Sequence, residues 1–427
     1  MLNLIKKKLN SGMGKDIAWT FALQISIMLC SFAITKLLAS RLSIDDFGQY
    51  NVVKRSVQVL SFVMLAGVGI ALPRYIPLYR NDSPPKRIVP LLSASLIYIM
   101  GVSLTVFTGC MLFSGQMQHY IIGQSDNMGL LLVALGYAFA LAMAQVVYAY
   151  YRGTGDFKWY NGTQLAVQLA IVLPLILLPV LTVSNVFVSW LIITSLLVSF
   201  FLGRELWQRR NSLFPVSTPD SPISTHLKTI VKYSSGRLMA DFFLFSLAAF
   251  PLIYISNTQG LQSTAYYSVG ITFVTMVTPV FSFMGIILLP YVSECIAKHE
   301  LSKANRLINR LALFYLGASL LAIATLLLFT EFLTRLLFAD SYVAASDVTR
   351  IMILSILPQA IYLLYRNPID AVSVIPYNTI ILGICLAAMV VAFGLSTTLA
   401  QFAWAYAGVS ILQGFLSYAI WHIIRKA

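Results

Sequence analysis

Charge is what this sequence has least of. Of its 427 residues only 10% are Asp, Glu, Lys or Arg, and just 15 are acidic. Together with 59% hydrophobic residues and a mean hydropathy of +0.81, that scarcity excludes a chain folded in water around one core. The solvent must be lipid. Cysteine is also rare: Cys30, Cys110, Cys295 and Cys385 are scattered, so no disulfide framework is implied. Four dispersed histidines, His119, His226, His299 and His422, show no metal-ligand spacing. Nowhere is there a Gly-x-x-x-x-Gly-Lys-Ser/Thr loop to cradle ATP. The Gly153-Thr-Gly155 pair lacks a third glycine, Lys158 standing where one would fall, which excludes a dinucleotide site. No cofactor is expected.

Long apolar runs are what the sequence does have. Cutting it where charge, Pro and Gly cluster leaves runs near 17–39, 52–72, 88–113, 128–150, 159–181 and 186–203. Six more follow near 234–256, 264–290, 311–330, 346–365, 371–393 and 399–424. Each can cross about 30 Å of hydrocarbon as a helix. The second set repeats the first at an offset of 217, which carries Lys15 to Lys232, Tyr50 to Tyr267, Pro73 to Pro290 and Arg209 to Lys426. Duplicated membrane helices are characteristic of carriers. The expected fold is therefore an all-α integral membrane protein with twelve transmembrane helices in two parallel six-helix repeats.

Orientation follows from the basic residues, because short loops rich in Lys and Arg stay in the cytoplasm. An interior N-terminus places 23 of the 29 lysines and arginines on the inner side, so both termini are expected to be cytoplasmic. This spread over alternate loops also explains a pI near 9.6 without nucleic-acid binding. The expected organisation is a basic N-terminus (1–14), a six-helix bundle (15–210), a Pro- and Ser-containing cytoplasmic linker (211–231) and a second bundle (232–427).

Three stretches carry a family resemblance. Leu38-Ala-Ser-Arg-Leu-Ser-Ile-Asp-Asp-Phe-Gly-Gln-Tyr50 and Gly67-Val-Gly-Ile-Ala-Leu-Pro-Arg-Tyr75 resemble the first helical hairpin of polysaccharide flippases, and Tyr151-Arg-Gly-Thr-Gly-Asp-Phe-Lys158 resembles a short basic loop of the same proteins. The chain resembles the Wzx type, within the multidrug/oligosaccharidyl-lipid/polysaccharide exporter superfamily. The resemblance implies a carrier in the bacterial inner membrane that moves an undecaprenyl-diphosphate-linked repeat unit to the periplasmic leaflet, for O-antigen, capsule or similar polymer assembly. Its implied partners are that lipid-linked oligosaccharide and membrane lipids, with a polysaccharide polymerase and a chain-length regulator as candidates.

Buried charge tests the idea, because a diphosphate wants cations and a cationic drug wants carboxylates. Lys36 lies in the first span, Lys54 and Arg55 early in the second, and Arg237 and Arg350 near the ends of the seventh and tenth. Against them stands one clear intramembrane carboxylate, Asp241. The balance favours an anionic cargo, with these basic residues as substrate-binding candidates and Asp241 as the candidate for proton or ion coupling. Each has a plainer explanation: Lys36 near its helix end can snorkel, and Arg237 and Asp241, four apart, can form a helical ion pair. Trp19, Trp159, Trp190, Trp404 and Trp421 are expected to be interfacial anchors. The rival functions are a drug-cation exporter of the same superfamily and an enzyme such as a polymerase or ligase. The outward loops are short and carry no repeated Asp/Glu or Arg constellation, which weighs against catalysis.

Overall fold

The computed structural model of the protein describes residues 12–81, 88–123, 127–208, 223–298, 300–373 and 375–425. Every regular element among them is helical, because in lipid only a helix satisfies all its backbone groups within one segment. The first half runs α1 (Gly12–Arg41), α2 (Ile44–Leu65), α3 (Val68–Asn81), α4 (Ile88–Leu112), α5 (Ser114–Ile122), α6 (Met128–Thr154), α7 (Phe157–Ala170), α8 (Leu173–Leu177) and α9 (Val183–Gln208). The second runs α10 (Ile223–Thr258), α11 (Gly260–Ala297), α12 (Leu301–Leu328), α13 (Thr330–Leu337), a 3-10 turn (Asp340–Ala345), α14 (Ser346–Ile353), α15 (Ile356–Val372), α16 (Tyr377–Gly394) and α17 (Leu399–Ile424). Shifted by the 217 residues read from the sequence, α5 falls on 331–339, where α13 lies, and α6 falls on 345–371, covered by α14 and α15. Likewise α9 falls on 400–425, the place of α17. The duplication is a duplication of elements.

Among the described residues ten segments are long and apolar enough to cross a membrane, and eleven if α14 and α15, bent by 46° at their junction, count with the 3-10 turn as one span. The expected twelve would need α1 as well, whose side chains are described only in part.

Two compact units divide the chain: unit 1 takes Met1–Leu42 and Val53–Met239, unit 2 takes Ser43–Val52 and Ala240–Ala427. This differs from the boundaries expected from sequence in two places, since 43–52 goes with the second unit and 223–239 with the first. The reason at 43–52 is packing. Phe47 stacks edge-on against Phe338 and Tyr342, with centroids 6.1 and 5.4 Å away, and a Cβ on Gly48 would run into the Leu261 carbonyl.

In unit 1, α6 is the central helix, packed against α3, α9, α7 and α5. Its Ala134, Ala138 and Ala142 are fully buried, so the small-residue stripe serves close helix approach. Proline breaks the fifth span between α7 and α8, and other side chains satisfy the carbonyls this frees. Pro179 has no N–H for the Leu175 carbonyl, and Arg41 donates to it instead at 2.6 Å, and to Leu178 and Pro179 oxygens at 2.7 and 3.1 Å. Beside Pro174, the Trp190 indole N–H donates to the Ile171 carbonyl at 2.9 Å. Trp190 and Trp421 are buried, at 3% and 0% exposure, which corrects their expected role as interfacial anchors; Trp404 is exposed as expected.

In unit 2 the equivalent helix, α15, is central, packed against α11, α12, α16 and α17. Here the break precedes it. Pro358 cannot donate to the Leu354 carbonyl, and Leu354 and Ser355 close tighter i→i−3 turns onto Ile351 and Met352. Gln259, at the α10–α11 junction, donates to the Thr397 carbonyl at 2.7 Å across 138 residues. Arg41 reaches Pro179 across the same separation.

Candidate functional site

The cations expected to meet substrate fall into two environments. Lys36 is an exposed residue of α1, while Lys54 and Arg55 are half-buried on α2, all three within unit 1. Arg55 donates from Nη1 to Gln58 Oε1 at 3.1 Å, one helical turn on. No Asp or Glu occurs from Ile17 to Ile44 or from Phe47 to Asn81, so both stretches carry positive charge only. Arg350 is placed differently, at the end of α14 in unit 2. Its guanidinium bridges Glu331 at 2.8 Å and Asp347 at 3.0 Å. Arg237's side chain lies outside the described residues, and so does its expected pairing with Asp241.

Asp241 has a partner that sequence spacing did not suggest: Arg366 of α15, at 3.9 Å. Asn378, at the start of α16, ties the group together, its Nδ2 donating to Asp370 Oδ1 at 2.7 Å and to the Arg366 carbonyl at 2.8 Å. Asn378 Oδ1 and the Tyr362 hydroxyl are buried here without a hydrogen-bond partner. Among the described residues the group brings together the Asp241 and Asp370 carboxylates and the Arg366 guanidinium. A single rule would have found Arg366 and Asp370, because they stand four apart on one helix. The apolar run, however, ended at Tyr365, which put both in a loop.

Two of the three stretches that carried the resemblance, 67–75 and 151–158, meet in space. Pro73 in α3 lacks the N–H that would bond the Gly69 carbonyl, and Arg152 at the end of α6 donates to that oxygen at 3.0 Å. Next along the chain, Gly153 lies so close to α3 that a Cβ there would come within 3.1 Å of the Leu72 carbonyl and 2.9 Å of Ile76. Gly155 then ends α6 in the left-handed region, φ 77°, and Asp156 caps α7 by accepting from the Trp159 N–H at 3.3 Å. Trp159 in turn supports Arg204, whose guanidinium carbon sits 3.6 Å from the ring centroid. Just before α3 the second span breaks at Ala66 and Gly67, with φ 48° and 77°. In the first stretch, Ser43 caps α2 by accepting from the Asp46 N–H at 3.1 Å.

Among the described residues no three His, Cys, Asp or Glu side chains gather as a metal site would require. Lys36, Lys54 and Arg55 thus stand in stretches with no Asp or Glu of their own, and a charge-paired polar cluster stands in unit 2.

The family model described as "Polysaccharide biosynthesis protein" matches residues 13–296. No curated protein sequence matches the chain. Among solved structures, an inward-facing multidrug resistance MATE family transporter of the MOP superfamily superposes with a TM-score of 0.75 at 12% identity, over 95% of this chain and 98% of that one. The lipid II flippase MurJ in an inward closed conformation gives 0.70 at 12% identity, over 94% and 87%. A MOP superfamily transporter from Pyrococcus furiosus, whose binding pocket is described as of reverse polarity, gives 0.62 at 14%, over 96% and 94%.

Proposed function

The chain belongs to the polysaccharide biosynthesis protein family, and from that premise we propose that it is a flippase for lipid-linked oligosaccharides. Its fold is that of MATE transporters and MurJ. The cargo proposed is an undecaprenyl-diphosphate-linked repeat unit, moved from the cytoplasmic to the periplasmic leaflet of the bacterial inner membrane by alternating access. Twelve spans with both termini inside complete the proposal. It is a carrier and not an enzyme.

The observation that carries this reading is the sign of the charge in the first two spans. Lys36, Lys54 and Arg55 stand in stretches without a single carboxylate, where charged groups are costly and kept for function. Lysine and arginine offer phosphate oxygens charge-assisted hydrogen bonds that a cationic drug could not use. Arg350, held by Glu331 and Asp347, is assigned a structural part. Asp241, with Arg366, Asp370 and Asn378, is the proposed coupling site, where protonation would release Arg366 as the carrier changes state.

The test reconstitutes the purified protein in liposomes and follows a fluorescent undecaprenyl-diphosphate oligosaccharide between leaflets, with an organic cation in parallel. The expected result is movement of the lipid-linked sugar alone. Movement of the cation alone would make the protein a drug exporter and recast its basic residues as interfacial anchors.

A further inference from the structure

We infer that Arg152 is a positioning residue that braces a hinge in the second span: its guanidinium stands in for the N–H that Pro73 lacks, and Ala66–Gly67 is the joint. Three observations carry it. First, Ala66 has φ 48° although it bears a Cβ and is buried, a conformation that such residues adopt only where the surroundings hold them there. Second, the segment after the joint is missing part of its own ladder, since Pro73 leaves the Gly69 carbonyl without an intrahelical donor. Arg152 fills that vacancy from 83 residues away at 3.0 Å. Third, Gly153 lets α6 press on α3 at Leu72 and Ile76, so the far side of the joint is pinned to the central helix of unit 1.

The near side of the joint is α2, which carries Lys54 and Arg55. A rotation at Ala66–Gly67 therefore changes where those cations point while α3 stays fixed to α6. Arg152 is exposed, so its bond to Gly69 can break and re-form without uncovering a core. The same device occurs at Arg41, which replaces the donor missing at Pro179, but there no left-handed residue adjoins among the described residues. By the 217 offset Arg152 maps to Ile369, which has no side-chain donor. The hinge therefore belongs to the first repeat. Its part in transport rests on the flippase reading; the brace itself does not.

Hydrogen–deuterium exchange on the full chain in lipid nanodiscs tests the brace without any cargo. Arg152→Ala is expected to speed amide exchange at Val68–Leu72 about tenfold. Adding Pro73→Ala should return it to within about twofold of the parent, because residue 73 regains an N–H for Gly69. Arg152→Lys, still a donor, should stay close to the parent. Unchanged exchange in Arg152→Ala, or a double variant as fast as the single one, would overturn the inference. If Arg152→Ala does not assemble, recovery of folded protein by Pro73→Ala supports the brace and its absence counts against it. In the liposome assay Arg152→Ala should lower turnover about tenfold with half-saturation unchanged. A parent protein that moves no lipid-linked sugar would defeat the cargo reading and leave the exchange result standing.

Discussion

The two repeats share a plan of helices and differ in where they break and how they handle charge. In unit 1 the central helix α6 is continuous, while the spans beside it are broken at Ala66–Gly67 and near Pro174. In unit 2 the counterpart of α6 is itself broken before Pro358, and the counterparts of the other two, α11 and α16, run through. Charge follows the same divergence. Ile17–Ile44 and Phe47–Asn81 carry basic residues and no Asp or Glu of their own, whereas Arg350 and Arg366 of unit 2 each face one or more carboxylates. The two copies of one scaffold differ in their breaks and their charges, and in the function proposed one half would hold an anion and the other would exchange a proton or cation.

Substitutions can break or sharpen that contrast. The largest effect is expected at Arg55, where Arg55→Ala should cut lipid-linked flux about 10- to 100-fold with normal membrane insertion, the loss of a charge-assisted contact to phosphate. Flux equal to the parent protein in both Arg55→Ala and Lys36→Ala would remove the cationic half of the comparison. Gly48→Ala should lower stability by about 1–3 kcal/mol through its clash with the Leu261 carbonyl. Gly101→Ala, with nothing within 4 Å, is the neutral control, and thermal unfolding of the two purified variants separates them. Trp190→Phe keeps the ring but removes the donor to Ile171, and should destabilise by about 1–2 kcal/mol in the same measurement. The smallest effect is expected at Arg350. Its pairs with Glu331 and Asp347 are solvent-exposed, so Arg350→Ala should change stability by less than about 1 kcal/mol and flux by less than about twofold. A loss at Arg350 as large as at Arg55 would erase the distinction between these two groups of cations.

Much of the architecture was legible because lipid imposes a one-dimensional code. Apolar length marks a span, and the 217-residue echo marks the repeat; both reappear in the helices. The site was legible in part. Lys36, Lys54, Arg55 and Asp241 stood out as charges within apolar runs, but Arg366 did not, since its run was cut one residue short of it. The stretch Tyr151–Lys158 could be noticed but not explained, because the partner of Arg152 is Gly69, 83 residues earlier. Tryptophan position misled at Trp190 and Trp421, where a pattern that suits an interface also suits a buried ring.

The sequence by itself determined the solvent, the helical class and the duplication, since hydrophobic length and repeat are local properties that need no partner. Only the tertiary structure decided which carbonyls Arg41 and Arg152 complete, where Asp241 finds its counter-charge and that Ser43–Val52 packs with unit 2. Those outcomes depend on groups brought together from distant parts of the chain, where a proline's missing N–H creates a demand that sequence shows and packing alone can meet.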